Sequence, residues 1–292
     1  MLKITDVRAL PGDAAFLLDD GETAVLYDTG FAFTGFAVAE NIARVLGGRS
    51  LDYILLTHSH YDHAAGSAYI ARRFPNVKIA AAEYAAKIFA KPTARAAMLD
   101  LDRKAAARNG VTEYPNLLDE LRVDIPLRDG DVLRCGRLEF TVVALPGHTK
   151  CSVGYYLKSE KLLLSCETLG VYFGKGTHLP SCLVGYQMTL DSIARARELE
   201  IDRILLPHYG LSKLRPEEYL RRAEFVCRTT ADWMLRQLRS GRPRDEIVSA
   251  FVTAHHHPHV SPTYPLDAFR LNTTIMVDLI ARELGEHRAD GN

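Results

Sequence analysis

The sequence predicts a layered α/β fold in which two β-sheets pack face to face with helices outside, followed by a helical extension. Three observations predict it. Short apolar strands alternate with helical segments up to about residue 212, and the second run of strands and helices resembles the first. Beyond that point every segment has helical spacing. Because 47% of the 292 residues are apolar, the chain is long enough to bury a large core.

The first half opens with extended segments that we interpret as a β-meander. The polar residues 19–22 supply a hairpin turn signal, and Gly47 with Gly48 ends the first helix. Strands and helices then alternate. The predicted strands span 2–10, 14–18, 24–28, 53–57 and 77–80, and the predicted helices span 36–46 and 83–90.

The middle of the chain begins with residues 93–120, whose apolar positions recur at helical spacing and predict one or two helices. We expect this segment to lie over the functional site. Strands return after it, and a helix and a last apolar strand complete the second half. The predicted strands span 122–125, 131–135, 138–144, 152–157, 161–164 and 203–206, with a helix over 190–199.

The C-terminal region predicts three amphipathic helices, over residues 216–241, 245–255 and 262–285. We therefore divide the chain into a catalytic domain, residues 1–212, and a helical extension, residues 213–292. The extension is too small to be expected to fold alone. We expect it to pack on the main body, and its helices are also candidates for a homodimer contact.

The densest chemistry lies at residues 57–63, Thr-His-Ser-His-Tyr-Asp-His, directly after the apolar run 53–56. Alternate residues of an extended chain face the same way, so His58 and His60 are expected on one side of the turn. Asp62 and His63 would open the following helix. Because imidazoles and carboxylates are ligands of zinc, iron and manganese, the cluster predicts a metal site.

Three further candidate ligands follow apolar strands. His148 lies in Pro-Gly-His-Thr after the strand ending near residue 145, Glu167 follows the strand 161–164, and His208 follows the strand 203–206. Loops at strand ends commonly converge on a ligand in layered α/β folds. Each residue alone is a weak signal, and the combination with the first cluster strengthens all three.

These residues together resemble the metallo-β-lactamase superfamily. The resemblance rests on H-x-H-x-D-H, a later P-G-H-T, an acidic residue after a strand, a late histidine, and the early Asp-Thr-Gly at 28–30. It covers roughly residues 12–211. It implies a four-layer αββα sandwich with the site at one edge of the two sheets, and an activity like that of the glyoxalase II or lactonase members.

The resemblance also implies a ligand set for two divalent transition-metal ions, with zinc first and iron or manganese as alternatives. Most members have Asp where this chain has Glu167, and the longer side chain leaves a second interpretation open, a single ion with Glu167 capping a loop. His58, His60 and His148 would hold the first ion, Asp62, His63 and His208 the second, and Glu167 would bridge them.

Further roles follow from the same resemblance and from general metal-site chemistry. Asp62 would orient the nucleophile as well as bind metal, and the phenol of Tyr209 is either an oxyanion donor or a packed aromatic. Asp28 and Thr57 are candidates to orient metal-bound imidazoles, although Asp28 is equally readily explained as a turn cap. Residues 255–259, rich in histidine, are interpreted as a solvated loop or lid.

Composition restricts the partners. Lys plus Arg and Asp plus Glu are 36 each, which disfavours a nucleic-acid partner. No apolar run reaches the roughly 20 residues of a membrane span, and the first residues lack the features of a secretion signal. We therefore expect a cytoplasmic protein with a small-molecule substrate.

The leading functional hypothesis is hydrolysis of a small ester, thioester or lactone by a metal-bound hydroxide. Two alternatives come from other classes. One is a mononuclear-iron oxidoreductase resembling the sulfur dioxygenases, and the other is a regulatory or binding protein that retains the metal site. The scattered cysteines, five in number, form no C-x-x-C pair and predict neither a disulfide framework nor a zinc ribbon.

Overall fold

The computed structural model of the chain describes residues 1–285, so residues 286–292 of the predicted extension lie outside the described residues. Contacts within the chain group into two compact units, which are described separately. Unit 1 comprises Met1–Ala144, Cys151–Cys166 and Ile201–Ser212, and unit 2 comprises Leu145–Lys150, Glu167–Glu200 and Lys213–Asn292. The predicted boundary between residues 212 and 213 stays a prediction.

Unit 1 contains a first six-stranded sheet in which spatial order equals chain order. The opening meander is antiparallel and the remaining strands pair in parallel, which places helices between them. Its strands are β1 (Lys3–Asp6), β2 (Phe16–Asp19), β3 (Ala24–Tyr27), β4 (Tyr53–Leu55), β5 (Lys78–Ala82) and β6 (Ile125–Leu127).

The second six-stranded sheet also lies in unit 1, in the order β14-β13-β10-β9-β8-β7. All its pairings are antiparallel except that between β10 and β13. Its strands are β7 (Val132–Cys135), β8 (Leu138–Ala144), β9 (Val153–Leu157), β10 (Leu162–Leu164), β13 (Arg203–Leu206) and β14 (Gly210–Leu211).

One hydrophobic core joins the two sheets. Leu26 and Ile54 from the first sheet and Phe140 and Tyr155 from the second are fully buried in the same cluster. Each such side chain contributes roughly 1.5–3 kcal/mol to folding. The helices of unit 1 are α1 (Gly35–Leu46), α2 (Tyr61–Ala64), α3 (Ser67–Arg73), α4 (Glu83–Phe89) and α5 (Pro92–Arg108).

The helix predicted after the histidine-rich turn is two short helices, α2 and α3. They are separated at Gly66, where a Cβ atom would lie 2.2 Å from the carbonyl oxygen of Thr29. This close approach lets the chain after β3 pass directly beside the turn. The predicted segment 93–120 is one helix, α5, and a 3₁₀ turn at Leu118–Glu120.

Unit 2 consists of a hairpin and four helices among the described residues. The hairpin was not predicted, because its Gly-Lys-Gly turn resembles a flexible loop in sequence; Lys175 and its two flanking glycines have positive φ. Helix α7 packs against α6, α9 and β12. The elements are β11 (Val171–Gly174), β12 (Thr177–Leu179), α6 (Tyr186–Arg197), α7 (Pro216–Arg239), α8 (Arg244–His255) and α9 (Leu266–Leu284).

Within residues 1–285, no helix combines the length and the apolar character needed to cross a bilayer.

Candidate metal centre

The histidine-rich turn of unit 1 follows β4 directly. The chain bends at Ser59, His60 is extended with a ψ of 150°, and α2 then begins at Tyr61. The rings of His58 and His60 lie edge to face with centroids 4.7 Å apart, and each offers a ligand atom within 4.8 Å of the other. The predicted pairing of these two side chains on one side of the turn is therefore what the backbone produces.

Asp62, His63 and His208 form a three-donor cluster in unit 1, with ligand atoms within 4.8 Å of one another. The Nε2 atoms of His63 and His208 are 3.2 Å apart, and Asp62 Oδ2 lies 3.8 Å from each. His63 lies at the start of α2 and His208 directly follows β13. Two histidines that are 145 residues apart in sequence therefore meet in the fold.

Asp28 fixes the orientation of the turn. This residue is fully buried with a positive φ of 53°, and its carboxylate accepts the Thr57 N–H at 2.8 Å and the Thr57 hydroxyl at 2.9 Å. The same carboxylate accepts Nδ1–H of His63 at 2.9 Å. Of the two interpretations of Asp28, the geometry supports the orienting one, since a turn cap alone would not explain the histidine contact.

Thr57 extends this network to the neighbouring ligand candidate. Its hydroxyl donates to Asp28, so its oxygen accepts Nδ1–H of His58 at 2.9 Å. Both His58 and His63 therefore carry their proton on Nδ1, and Nε2 is the nitrogen that presents a lone pair.

A backbone carbonyl and an arginine fix the position of His208. Its Nδ1 lies 3.3 Å from the carbonyl oxygen of Asp13, and the guanidinium of Arg8 donates to the carbonyl of His208 itself. The Asp13 carboxylate accepts N–H groups of Ala9 and Leu10, both at 2.9 Å, which fixes this chain segment. Burial raises the pKa of Asp13, and these donors partly offset the rise.

In unit 2, His148 and Glu167 form a second pair. His148 Nε2 is 2.8 Å from Glu167 Oε2. On the opposite side of the ring, Nδ1 lies 3.0 Å from the Ser181 carbonyl oxygen and 2.8 Å from the Ser181 hydroxyl. Gly147 precedes the histidine with a φ of 139°, a conformation that L residues rarely adopt. The ring of His148 is thus held on both sides, by Ser181 at Nδ1 and by Glu167 at Nε2.

The donor set fits divalent transition-metal ions. His63 and His208 each donate from Nδ1, so two Nε2 lone pairs face each other at 3.2 Å beside a carboxylate. A divalent cation among the three groups would be attracted by both lone pairs and by the carboxylate. Imidazole nitrogens with their second nitrogen bound to a carboxylate or carbonyl are the usual ligands of zinc and iron.

The other candidates differ in their surroundings. Tyr209 is partly buried, and its ring centroid lies 6.2 Å from that of His208. In the histidine-rich segment, the rings of His257 and His259 stack at 5.6 Å, and His259 Nε2 bonds the Thr177 hydroxyl at 2.9 Å. Among residues 1–285, that segment contributes to no group of metal-ligating side chains.

His178 is the candidate that the structure changes most. It lies on β12 with 6% of its surface exposed, between the rings of Tyr172 and Tyr219. Burial lowers its pKa to about 4. In sequence, Gly174 to His178 resemble a surface loop, and the burial of His178 on β12 is visible only in the folded chain.

Three residues that organise the site escaped the sequence analysis, namely Arg8, Asp13 and Ser181. None lies within a recognisable motif. The Pro-Gly-Asp at residues 11–13 is a turn signal, but only the folded chain shows Asp13 fully buried. Ser181 has no sequence signal, because its role depends on the loop after β12 returning to His148.

A family model described as the metallo-beta-lactamase superfamily matches residues 11–208 of the chain. The chain is 28% identical over 155 residues to a hydroxyacylglutathione hydrolase of Bradyrhizobium, covering 53% of this chain and 47% of that protein. It is 26% identical over 202 residues to a hydroxyacylglutathione hydrolase of Rhodopseudomonas palustris, covering 68% of this chain and 63% of that protein. The chain thus spans about half to two thirds of these curated relatives.

Among solved structures, a metallo-beta-lactamase family protein from Thermus thermophilus matches with a TM-score of 0.62 and 19% identity. The match covers 93% of this chain and 88% of that one. At this identity the similarity concerns the fold. It confirms the predicted αββα sandwich with a C-terminal helical extension.

Proposed function

Because this chain belongs to the metallo-β-lactamase superfamily, as the sequence resemblance implied, we propose that it is a metal-dependent hydrolase of small esters, thioesters or lactones. The alternatives of iron-based oxidation and of a purely regulatory role have no comparable support. Both relatives described above are named as hydrolases of a thioester, hydroxyacylglutathione, so a thioester is the first substrate class to examine.

The observation that carries the proposal is the cluster of Asp62, His63 and His208. The ligand atoms of these three residues lie within 4.8 Å of one another, and Asp28 holds Nδ1 of His63 so that its Nε2 faces the cluster. Two imidazoles and a carboxylate at this spacing are a ligand set for a divalent transition-metal ion.

The proposed ligand set keeps the order of the family's motifs. Divalent ions held there would activate water and polarise a carbonyl oxygen. His58, His60 and His148 are proposed for one ion, Asp62, His63 and His208 for another, and Glu167 for the bridge. The identity of the metal, with zinc first, is part of the proposal.

Asp62 is the proposed proton acceptor and orienting residue. Its side chain keeps 24% of its surface exposed, whereas His63 is completely buried and His208 keeps 8%. Substrate and water therefore reach the cluster from the side of Asp62. Its carboxylate would take a proton from water as the water oxygen bonds to the carbonyl carbon. The C–S or C–O bond then breaks, and the proton held by Asp62 passes to the leaving sulfur or oxygen, giving a carboxylic acid and a thiol or alcohol.

The experiment is a panel of thioester, lactone and phosphodiester substrates tested on purified protein, on protein treated with a chelator, and on Asp62→Asn. We expect thioester or lactone hydrolysis that disappears with the chelator, returns with added zinc, iron or manganese, and is lost in Asp62→Asn. Hydrolysis that survives complete metal removal would contradict the proposal. Oxygen uptake with a persulfide, in place of hydrolysis, would favour the oxidoreductase.

A further inference from the structure

Four aromatic rings form a continuous row in unit 1, and the row begins at the proposed metal centre. Tyr61 stands between His60 and Asp62 in sequence. Its ring contacts Phe31 at 5.7 Å, Phe31 contacts Phe33 at 5.1 Å, and Phe33 contacts Tyr114 at 6.2 Å. We call Tyr61, Phe31, Phe33 and Tyr114 the aromatic strip. All four side chains remain partly exposed.

Two buried carboxylates hold the strip in place. Asp13 accepts the Phe31 N–H at 3.2 Å, and Asp102, itself fully buried on α5, accepts the Phe33 N–H at 3.3 Å. Asp102 also accepts the Ala32 N–H at 2.8 Å and the phenol of Tyr114. Hydrogen bonds to these two carboxylates therefore fix the backbone of the loop that carries the two phenylalanines.

The far end of the strip opens into a cavity. Its volume is about 540 Å³, and Tyr114 lines it together with Arg103, Thr112, Glu113 and Pro115. This space is open to solvent, and charged and polar side chains line it together with the ring of Tyr114. The strip thus runs from the residue between two proposed metal ligands to an open space at its other end.

Tyr61 and Tyr114 also pack against the hydrophobic core of unit 1. The parts of the four rings that stay exposed leave apolar surface in contact with water, at a cost of roughly 25 cal/mol per Å² relative to burial. Building the strip from buried carboxylates adds a desolvation cost. Both costs are offset when a ligand covers the rings. Because Tyr61 stands between two proposed metal ligands in the chain, a substrate bound at those ligands is the occupant that we assign to the strip.

We propose that the aromatic strip binds an aromatic substituent of the substrate, so that the enzyme prefers esters, thioesters or lactones with an aryl group beyond the scissile carbonyl. This inference rests on the proposed hydrolase function. Phe33 is the specificity-determining residue, since it lies at the centre of the row and contacts rings on both sides. Its role is in substrate binding and it takes no part in the bond-breaking step.

The test compares S-acetyl and S-phenylacetyl thioesters of one thiol, N-acetylcysteamine, with metal-loaded wild type, Phe33→Ala, Phe33→Leu and Phe36→Ala. Phe36 is the matched control, because it is 44% exposed on α1 and its ring contacts Tyr69 instead of the strip. Loss of ring contacts lowers kcat/KM for the S-phenylacetyl substrate about tenfold in Phe33→Ala, whereas Phe36→Ala keeps the wild-type ratio of S-phenylacetyl to S-acetyl kcat/KM. Phe33→Leu keeps apolar volume and supplies a folded variant if the alanine variant is unstable.

A binding measurement separates this inference from the proposed function. Calorimetry with phenylacetate and acetate on the metal-loaded protein reports on the strip without turnover, and Phe33→Ala should weaken phenylacetate alone. If wild type hydrolyses neither thioester, the hydrolase proposal fails and calorimetry still decides the strip. An equal phenylacetyl-to-acetyl preference in wild type, Phe33→Ala and Phe36→Ala would overturn the inference. A dimer that Phe33→Ala dissociates would also overturn it, because a second copy would then cover the rings.

Discussion

The proposed ligands of unit 1 and those of unit 2 are held by different means. In unit 1, a fully buried carboxylate, Asp28, bonds His63 directly and His58 through Thr57. In unit 2, His148 is held by the neutral carbonyl and hydroxyl of Ser181, and its neighbour Glu167 opens a 3₁₀ turn. Charge-assisted hydrogen bonds are roughly twice as strong as neutral ones, so Nδ1 of His63 is held more strongly than Nδ1 of His148. His208 of unit 1 resembles His148 in this respect, since its Nδ1 also faces a neutral carbonyl.

The first way to test this comparison removes a ligand of unit 1. We expect His63→Ala to lower hydrolysis by more than about 100-fold, because losing a ligand exceeds the 10–100-fold cost of losing an outer partner. Metal content should fall in parallel. His257→Ala, which removes an exposed histidine of unit 2, is the control and should retain both. Normal metal content in His63→Ala would contradict the assignment.

Substituting the orienting residues tests the difference between the units directly. Asp28→Asn should weaken metal binding about 100-fold and Ser181→Ala about tenfold, the upper and lower ends expected for outer partners. Ser181→Ala loses the hydroxyl but keeps the carbonyl that lies 3.0 Å from Nδ1 of His148. Competition with a chromogenic chelator measures both affinities. Equal losses would show that charge on the orienting group is unimportant here.

The sequence predicts features that depend on neighbouring residues and misses those that depend on residues distant in the chain. The turn at residues 57–63 and its candidate ligands could be singled out because strand periodicity and ligand chemistry are both local, and their metal-binding role stays a prediction. His148, Glu167 and His208 were found as polar residues after apolar strands. Ser181 and Asp13 were missed because each acts on a histidine distant in sequence, at separations of 33 and 195 residues.

The hairpin β11–β12 was missed for a related reason. Its turn residues, Gly174 to Gly176, have the composition of a flexible linker, and only tertiary packing against α7 distinguishes them. The burial of His178 follows from that packing. Local sequence patterns cannot reveal either feature, since tertiary contacts decide both.

A smaller predicted effect is the pH dependence of folding stability, which has opposite signs for His178 in unit 2 and Asp102 in unit 1. His178 in unit 2 has its pKa lowered to about 4 by burial, so the unfolded chain binds a proton below pH 6.5 that the folded chain does not. Its contribution to stability is present above pH 6.5 and is lost as pH falls towards 4, by up to about 3 kcal/mol. Asp102 in unit 1 has its pKa raised to about 6 by burial, so its contribution is present below pH 3.8 and is lost as pH rises through 6.

Denaturant unfolding of wild type, His178→Phe and Asp102→Asn between pH 4 and 7 measures these contributions. The difference between wild type and His178→Phe should decrease as pH falls, and the difference between wild type and Asp102→Asn should decrease as pH rises. Differences that are independent of pH would show that the two groups titrate normally in the folded protein.

The metal content of wild type and Glu167→Ala tests the central claim most directly. A pair of ions bridged by Glu167 predicts about two transition-metal ions per wild-type chain, falling towards one in Glu167→Ala, with hydrolysis lost on chelation. One ion per chain in both proteins, with unchanged hydrolysis, would contradict the two-ion account and leave Glu167 as a loop residue beside a single-metal site.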